Sequence, residues 1–141
     1  MKRIEIVEEA RECVGTKWQH QAALKGVACD CVGLIRIVAG KWGLKADDED
    51  MRYSRRPYHD NEKMYEICKK YLTEIAIEEA RPGDILLFGA KNMPAYHIGI
   101  VSYDNFIIHT WLDVGKVTES HMDQIWKDEL RFAFKLPGVE D

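Results

Sequence analysis

The sequence predicts an α+β fold, and three observations carry that reading. The first half repeats its apolar residues at helical spacing. The second half replaces that spacing with short, dense apolar runs between turn residues. The change falls near "RPGD" at residues 81–84, so helices come first and an antiparallel sheet follows. At 141 residues the chain is long enough for one domain with a real core, taken as residues 1–141.

Taken in order, Ile4, Val7, Ala10 and Val14 predict an amphipathic helix over 4–13, closed by Gly15. "GTKWQHQAALKGVACD", residues 15–30, has no clean period and reads as a long loop. From Cys31 the set Leu34, Ile35, Val38, Ala39 and Trp42 marks a buried helix that Gly43 stops. "KADDEDMRYSRRPYHDNE", residues 45–62, is the most polar stretch and reads as a surface loop with two charge clusters. "DNEKMYEICKKYL" is a third helix with Asp60 or Asn61 as N-cap. After the "RPGD" turn, "ILLF" is a buried strand. "HIGIVSYDNFIIHTW" reads as two strands around a turn, and "VGKVTE" and "RFAFKL" as further strands.

Composition narrows the function classes. Hydrophobic residues make up 46% and charged residues 31%, an ordinary globular balance. A net charge of −4 argues against wholesale nucleic-acid binding. The N-terminal "MKRIEIVEEARECVG" lacks the apolar core of a signal peptide, and no apolar run is long enough to span a membrane. The expectation is a protein made in a reducing cytoplasm, whose four cysteines are thiols rather than bridges.

Cys29 and Cys31 sit one residue apart in "ACDCVGLIR". A zinc site needs about four ligands, and one C-x-C with scattered histidines lacks paired spacing, so no metal and no cofactor is expected. Cys13 and Cys68 fall within helical patterns as packing residues, and Cys29 receives no catalytic role. Cys31, taken alone, is a small apolar residue at a helix start. Its position adds more. It follows Asp30, a good N-cap type, and a thiol in a first helical turn feels the positive end of the helix dipole, which favours thiolate. Gly33 permits close approach by another backbone or a substrate.

A nucleophilic cysteine needs a base. His59 lies in the charged loop and His121 near an expected helix start, both typical surface settings. His20, in the loop before Cys31, is placed to line a cleft. His97 and His109 sit among apolar strand residues, where an unpartnered imidazole is costly. Each alone reads as a packed core histidine. Together they obey a parity rule. They share a face of adjacent antiparallel strands only if the loop between the strands is odd in length. A three-residue loop, Tyr103 to Asn105, pairs Gly99 with His109 and His97 with Trp111. The two histidines then become diagonal neighbours about 7–8 Å apart at the backbone. Asn105 tolerates the left-handed conformation such a loop requires, and Gly99 leaves room for the imidazole.

These residues, in this order, resemble the NlpC-type cell-wall cysteine peptidases, a papain-like family of bacterial and phage enzymes. The family pattern is D-C-x-G-L at a helix start, P-G-D before a strand, H-x-G-I opening a hairpin and a polar residue closing it. Here these are "DCVGLI" at 30–35, "RPGDILLF" at 81–88 and "HIGIVSYDNFIIHT" at 97–110, with "GTKWQHQ" at 15–21 similar to the family's upstream loop. The resemblance covers about residues 4–136.

It implies a papain-like fold with the nucleophile at a helix N-terminus packed on an antiparallel sheet. It assigns Cys31 as nucleophile, His97 as base and His109 as the orienting third residue. It implies hydrolysis of peptidoglycan stem peptides, typically between D-glutamate and a diamino acid, with action at the cell wall. "GTKWQHQ" with "CDC" resembles most the small phage-tail and gene-transfer-agent members, which lack signal peptides, so phage-tail proteins are expected partners. The alternatives are an acyltransferase or amidase with the same triad, and a non-catalytic phage-tail subunit on this fold. Val32 stands where many members have serine, and Trp18 where many have an oxyanion tyrosine. Trp18, His20 and Asp30 are therefore candidate substrate or oxyanion residues, together with the Cys31 backbone N–H. Arg36, Arg52, Arg55 and Arg56 are candidates for a basic cleft rim facing the substrate's carboxylates.

Overall fold

The computed structural model describes residues 1–54 and 61–141. Helix α1 spans Arg3–Glu12. Its buried stripe is Ile6, Val7, Ala10 and Cys13, while Ile4 and Val14 are exposed. The buried face is thus turned about one residue from the expected one, because buried Glu9 is also drawn in by Lys25, 2.8 Å away.

The segment expected to be a loop holds three two-residue strands, β1 (Lys17–Trp18), β2 (Ala23–Leu24) and β3 (Ala28–Cys29). β3 lies between the other two, parallel to β1 and antiparallel to β2. Strands this short leave no period-two signature in the sequence. Helix α2 (Cys31–Gly40) follows directly and buries Val32, Leu34, Ile35 and Val38. The helix ends at Gly40, three residues sooner than expected, and the chain turns through 41–43 to Gly43 at φ +77.

Helix α3 runs Lys63–Tyr71. Its N-cap position is Glu62, with no side-chain cap bond, and Asn61 sits at φ 55, so the helix begins later than expected. Asp60, the other expected cap, lies outside the described residues, as do His59, Arg55 and Arg56.

The remainder is a six-stranded antiparallel sheet of β4 (Thr73–Ile75), β5 (Ile85–Phe88), β6 (His97–Val101), β7 (Phe106–His109), β8 (Thr118–His121) and β9 (Leu130–Lys135). The order is β4-β9-β5-β6-β7-β8. β4 was not expected; it is an edge strand with two exposed residues in three. β8 starts four residues after the start of the expected "VGKVTE" strand and carries His121, so that histidine ends a strand rather than lying near a helix start. The helix near it, α4 (Gln124–Glu129), begins after Asp123, whose carboxylate accepts the Trp126 N–H.

Side chains alternate across this sheet. Ile85, Leu87, Ile98, Ile100, Ile108 and Phe134 join α1 and α2 in the main core. Leu86, Phe88, Ile107 and Ala133 form a second cluster that Trp126 helps to cover. The "RPGD" turn ties helix to sheet. Asp84 is fully buried, accepts the Arg81 N–H at 2.8 Å and pairs with Arg3 of α1 at 2.8 Å.

Candidate functional site

The site begins at the α2 N-terminus. Asp30 is buried and caps the helix, accepting the Gly33 N–H through Oδ1 at 2.7 Å. Its Oδ2 accepts the Gln21 N–H at 2.7 Å and the Tyr53 hydroxyl at 2.5 Å. Two chain segments remote from each other therefore converge on the residue preceding Cys31. Gly33 is required here. A Cβ on it would lie 1.9 Å from the Ala22 carbonyl oxygen, so the close approach the sequence allows is made by another backbone.

Cys31 is half-buried, whereas Cys13, Cys29 and Cys68 are buried, and all four carry free thiols. Backbone N–H groups of Ile98, Val32 and Cys31 favour its thiolate, but burial and the neighbouring Asp30 charge outweigh them and push the thiol up to about 12. Helix α2, which begins at Cys31, packs against β6, the strand that His97 opens. No hydrogen bond joins Cys31 and His97 themselves in this structure, an arrangement in keeping with resting thiol sites, where such bonds are often loose.

His97 opens β6 and His109 closes β7. The β6–β7 register pairs Ile100 with Ile108 and Val101 with Ile107, the register that sets Gly99 opposite His109. The Ser102 N–H donates to Phe106 O at 2.9 Å, so three residues, Tyr103 to Asn105, lie between paired positions, as the parity rule requires. The turn is tighter than a simple three-residue loop. The Phe106 N–H reaches Tyr103 O at 3.0 Å, and Asp104 joins Asn105 at positive φ (55 and 65). Asp104 and Asn105 make a primed turn, and Tyr103 is the additional residue that preserves the parity. A Cβ at Gly99 would lie 3.0 Å from the His109 Cβ and 2.7 Å from Ile107 Cδ1, so glycine makes room for both.

The result is a direct bond, His97 Nε2 to His109 Nδ1, at 2.8 Å between two buried rings. His109 Nε2 lies 3.2 Å from Ser120 Oγ. Ser120 was not singled out in the sequence. Thr118 pairs with His109 across β7–β8, and Ser120 lies two residues further along the same face, a placement that only the β8 register reveals. Burial and the second imidazole hold His97 well below the ordinary histidine range. Burial pulls His109 down to about 4, against the Asp123 charge. Both rings are therefore neutral at rest.

The other candidates sit nearby with different roles. His20 Nδ1 is 3.9 Å from Asp30 Oδ2, and its ring lies edge-on to Tyr53 at 5.6 Å. Trp18 pairs with Cys29 across β1–β3, and its backbone N–H donates to Gly115 O, so its backbone is committed to the small sheet. Arg36 lines an apolar cavity of about 410 Å³ behind α2, and Arg52 is exposed. Tyr53 was also missed by sequence reading, since it lies in a polar loop with no motif around it. Among the described residues, no group of three or more His, Cys, Asp or Glu side chains is arranged to hold a metal ion.

A half-buried cysteine at a capped helix N-terminus and a hydrogen-bonded histidine pair on two adjacent strands of an antiparallel sheet sit together in a papain-like α+β fold. The NlpC/P60 family profile matches residues 15–134, and the chain belongs to that family. Solved structures agree on the fold. A lipoprotein-like NLP/P60 protein from Staphylococcus aureus matches at TM-score 0.66 and 22% identity over 99% of this chain; this chain spans only 42% of that one. The NlpC/p60 domain of the peptidoglycan hydrolase SagA matches at TM-score 0.65 and 20% identity, covering 96% of this chain and 100% of that one. RipD from Mycobacterium tuberculosis, described as a non-catalytic NlpC/p60 domain protein adapted to peptidoglycan binding, matches at TM-score 0.59 and 15% identity over 94% of this chain and 95% of its own. Among curated proteins, none matches the chain.

Proposed function

We propose that the protein is a cysteine peptidase that hydrolyses peptidoglycan stem peptides, at the D-glutamyl–diamino acid bond typical of the family its motifs resemble. The observation that carries this reading is the 2.8 Å bond between the buried His97 and His109 rings, together with a half-buried Cys31 at the capped start of α2. RipD warns that the fold alone does not make an enzyme. Here Cys31, His97 and His109 are all present, which favours catalysis.

The hydrogen bonds suggest how the site works. If His109 Nδ1 accepts from His97 Nε2–H, His109 Nε2–H donates to Ser120, and His97 Nδ1 keeps its lone pair for the thiol. Resting thiol and imidazole are both neutral, because burial opposes either charge alone. Charge appears as a pair when the Cys31 proton passes to His97 Nδ1 and sulfur attacks the carbonyl carbon. Backbone N–H groups of the α2 first turn hold the oxyanion. The imidazolium protonates the leaving amine as the C–N bond breaks, leaving a thioester. A water that gives its proton to His97 attacks that thioester and returns the thiol to Cys31. Action at the cell wall and association with a phage tail belong to the same proposal, resting on "GTKWQHQ" and "CDC". Among the described residues, no helix is long and apolar enough to cross a membrane.

Mass spectrometry of muropeptides after digestion of purified peptidoglycan tests this reading. New fragments ending in D-glutamate are expected; an unchanged muropeptide profile would count against it.

The cavity behind α2 favours a second reading, in which the same three residues move an acyl group to an amine. Val32, Ile35, Ala39, Leu44, Met64 and Ile67 give it apolar walls, and Arg36 and Lys45 are cationic lining residues. An apolar space of this size suits an acyl chain better than a polar stem peptide. Product analysis with and without an added amine acceptor separates the two, since only transfer yields an acylated amine.

A further inference from the structure

We propose that Trp126 is a positioning residue that stabilises the charged form of His97 through its indole face, an inference that rests on reading His97 as the base. The Trp126 ring stacks on His97 with centroids 4.7 Å apart and planes 30° from parallel. The same indole meets His109 edge-on at 5.1 Å. Trp111 closes the other approach, edge-on to His97 at 6.0 Å and 4.6 Å from His109.

The placement is built rather than incidental. Trp126 belongs to α4, a helix of six residues that is pinned at both ends. At its start, Asp123 accepts the Trp126 N–H. At its end, Glu129 accepts the hydroxyl of Tyr96, the residue before His97. The Glu129 carbonyl also accepts the Gly89 N–H, next to Phe88, which pairs with His97 across β5–β6. Both strands that carry the imidazole's backbone neighbours therefore hold α4 in place.

The chemistry explains the need. His97 must be buried to sit between sulfur and His109, and burial opposes its charge. The reaction nevertheless requires an imidazolium for a moment. A further hydrogen-bond acceptor would compete with His109, and a water fixed on the ring would occupy the Nδ1 lone pair that must take the thiol proton. The face of an indole attracts a cation without doing either. The titratable groups around His97 are His109 on β7, Cys31 on α2 and the Tyr96–Glu129 pair; Asp123 acts on His109.

The test uses the full chain with Trp126→Leu, which keeps an apolar side chain and loses the π face, and Trp126→Phe, which keeps a weaker face. Two readouts need no peptidoglycan: the pH profile of Cys31 alkylation by iodoacetamide, and the His97 titration midpoint by NMR. In Trp126→Leu, alkylation at neutral pH is expected to slow about tenfold and the His97 midpoint to move towards acid. Trp126→Phe should fall between Leu and wild type in both. A folded Trp126→Leu with wild-type midpoint and profile would overturn the role. If the Leu variant does not fold, Trp126→Phe decides alone: an unshifted midpoint overturns the role and an acid shift supports it. Alkylation of His97→Ala at the wild-type rate is a separate outcome, which would instead overturn the reading of His97 as base.

Discussion

The two halves of the site are built in opposite ways. Cys31 is placed by its own neighbours in sequence. Asp30 caps the helix, Gly33 admits the Ala22 carbonyl, and the thiol follows from a single helical turn. The histidine pair is placed by long-range pairing. Its geometry depends on strand register, on a hairpin of the right parity, and on β8 and α4 arriving from later in the chain. The proposed nucleophile should therefore tolerate distant changes better than the proposed base. Substitutions around each half should reveal that asymmetry.

The largest effect is expected from Cys31→Ala, which should remove hydrolysis entirely while circular dichroism and Tm stay near wild type. Cys29→Ala should remain active, with only the packing loss of a buried small side chain. An active Cys31→Ala together with a dead Cys29→Ala would show that the wrong sulfur had been assigned. Deleting Tyr103 comes next. It removes the extra residue in the β6–β7 turn, so one histidine must leave the shared face. Activity should fall at least a hundredfold. Wild-type turnover in this variant would mean that register does not set the base.

His109 separates orientation from proton transfer. Asparagine or glutamine can accept the His97 Nε2–H through a carbonyl, so His109→Asn and His109→Gln should retain about a tenth of kcat, with alanine losing more and KM little changed. His97→Ala should match the background of Cys31→Ala, since members of one unit are not additive. A wild-type His109→Ala would reduce the triad to a dyad.

The sequence exposed the local half almost completely. "DCVGL" announces cap, thiol and close approach, and Asp30 and Gly33 occupy those places. The hairpin was legible through parity, although the sequence did not show that Asp104 also takes positive φ or that Tyr103 is the additional residue. Tyr53, Ser120 and Trp126 were not legible at all. Each reaches the site through contacts between segments far apart in sequence, and none lies in a patterned motif. The short strands β1 to β3 escaped for a different reason: two residues cannot display an alternation. The α1 face was displaced because charge pairing at Glu9, and not apolarity alone, decides which side turns inward.

Two smaller effects sharpen the contrast. Asp30→Ala removes the N-cap and the acceptor of the Gln21 and Tyr53 bonds, and should lower stability by about 2 kcal/mol in denaturant titration. A value near zero would mean that the cap is dispensable. On the histidine side the effect is pH-dependent. The unfolded chain protonates His109 near pH 6.5, while the folded chain keeps it neutral to about 4. The unfolded state therefore binds more protons in that window, so stability is fully present above pH 6.5 and is lost as pH falls towards 4. Tm in His109→Gln should decline less steeply there, by up to one proton's worth. An unchanged slope would indicate that His109 titrates normally in the folded state.

The most direct measurement uses a stem-peptide analogue with a chloromethyl ketone at the D-glutamyl carbonyl, read by intact-protein mass spectrometry and peptide mapping. The thiolate displaces chloride and forms a stable thioether to the methylene carbon next to the carbonyl at which the thioester would form. One equivalent on Cys31 is expected in wild type, none in Cys31→Ala, and slower labelling in His97→Ala. Label on Cys29, or an unlabelled Cys31 in protein that still digests peptidoglycan, would contradict a Cys31-centred thiol mechanism.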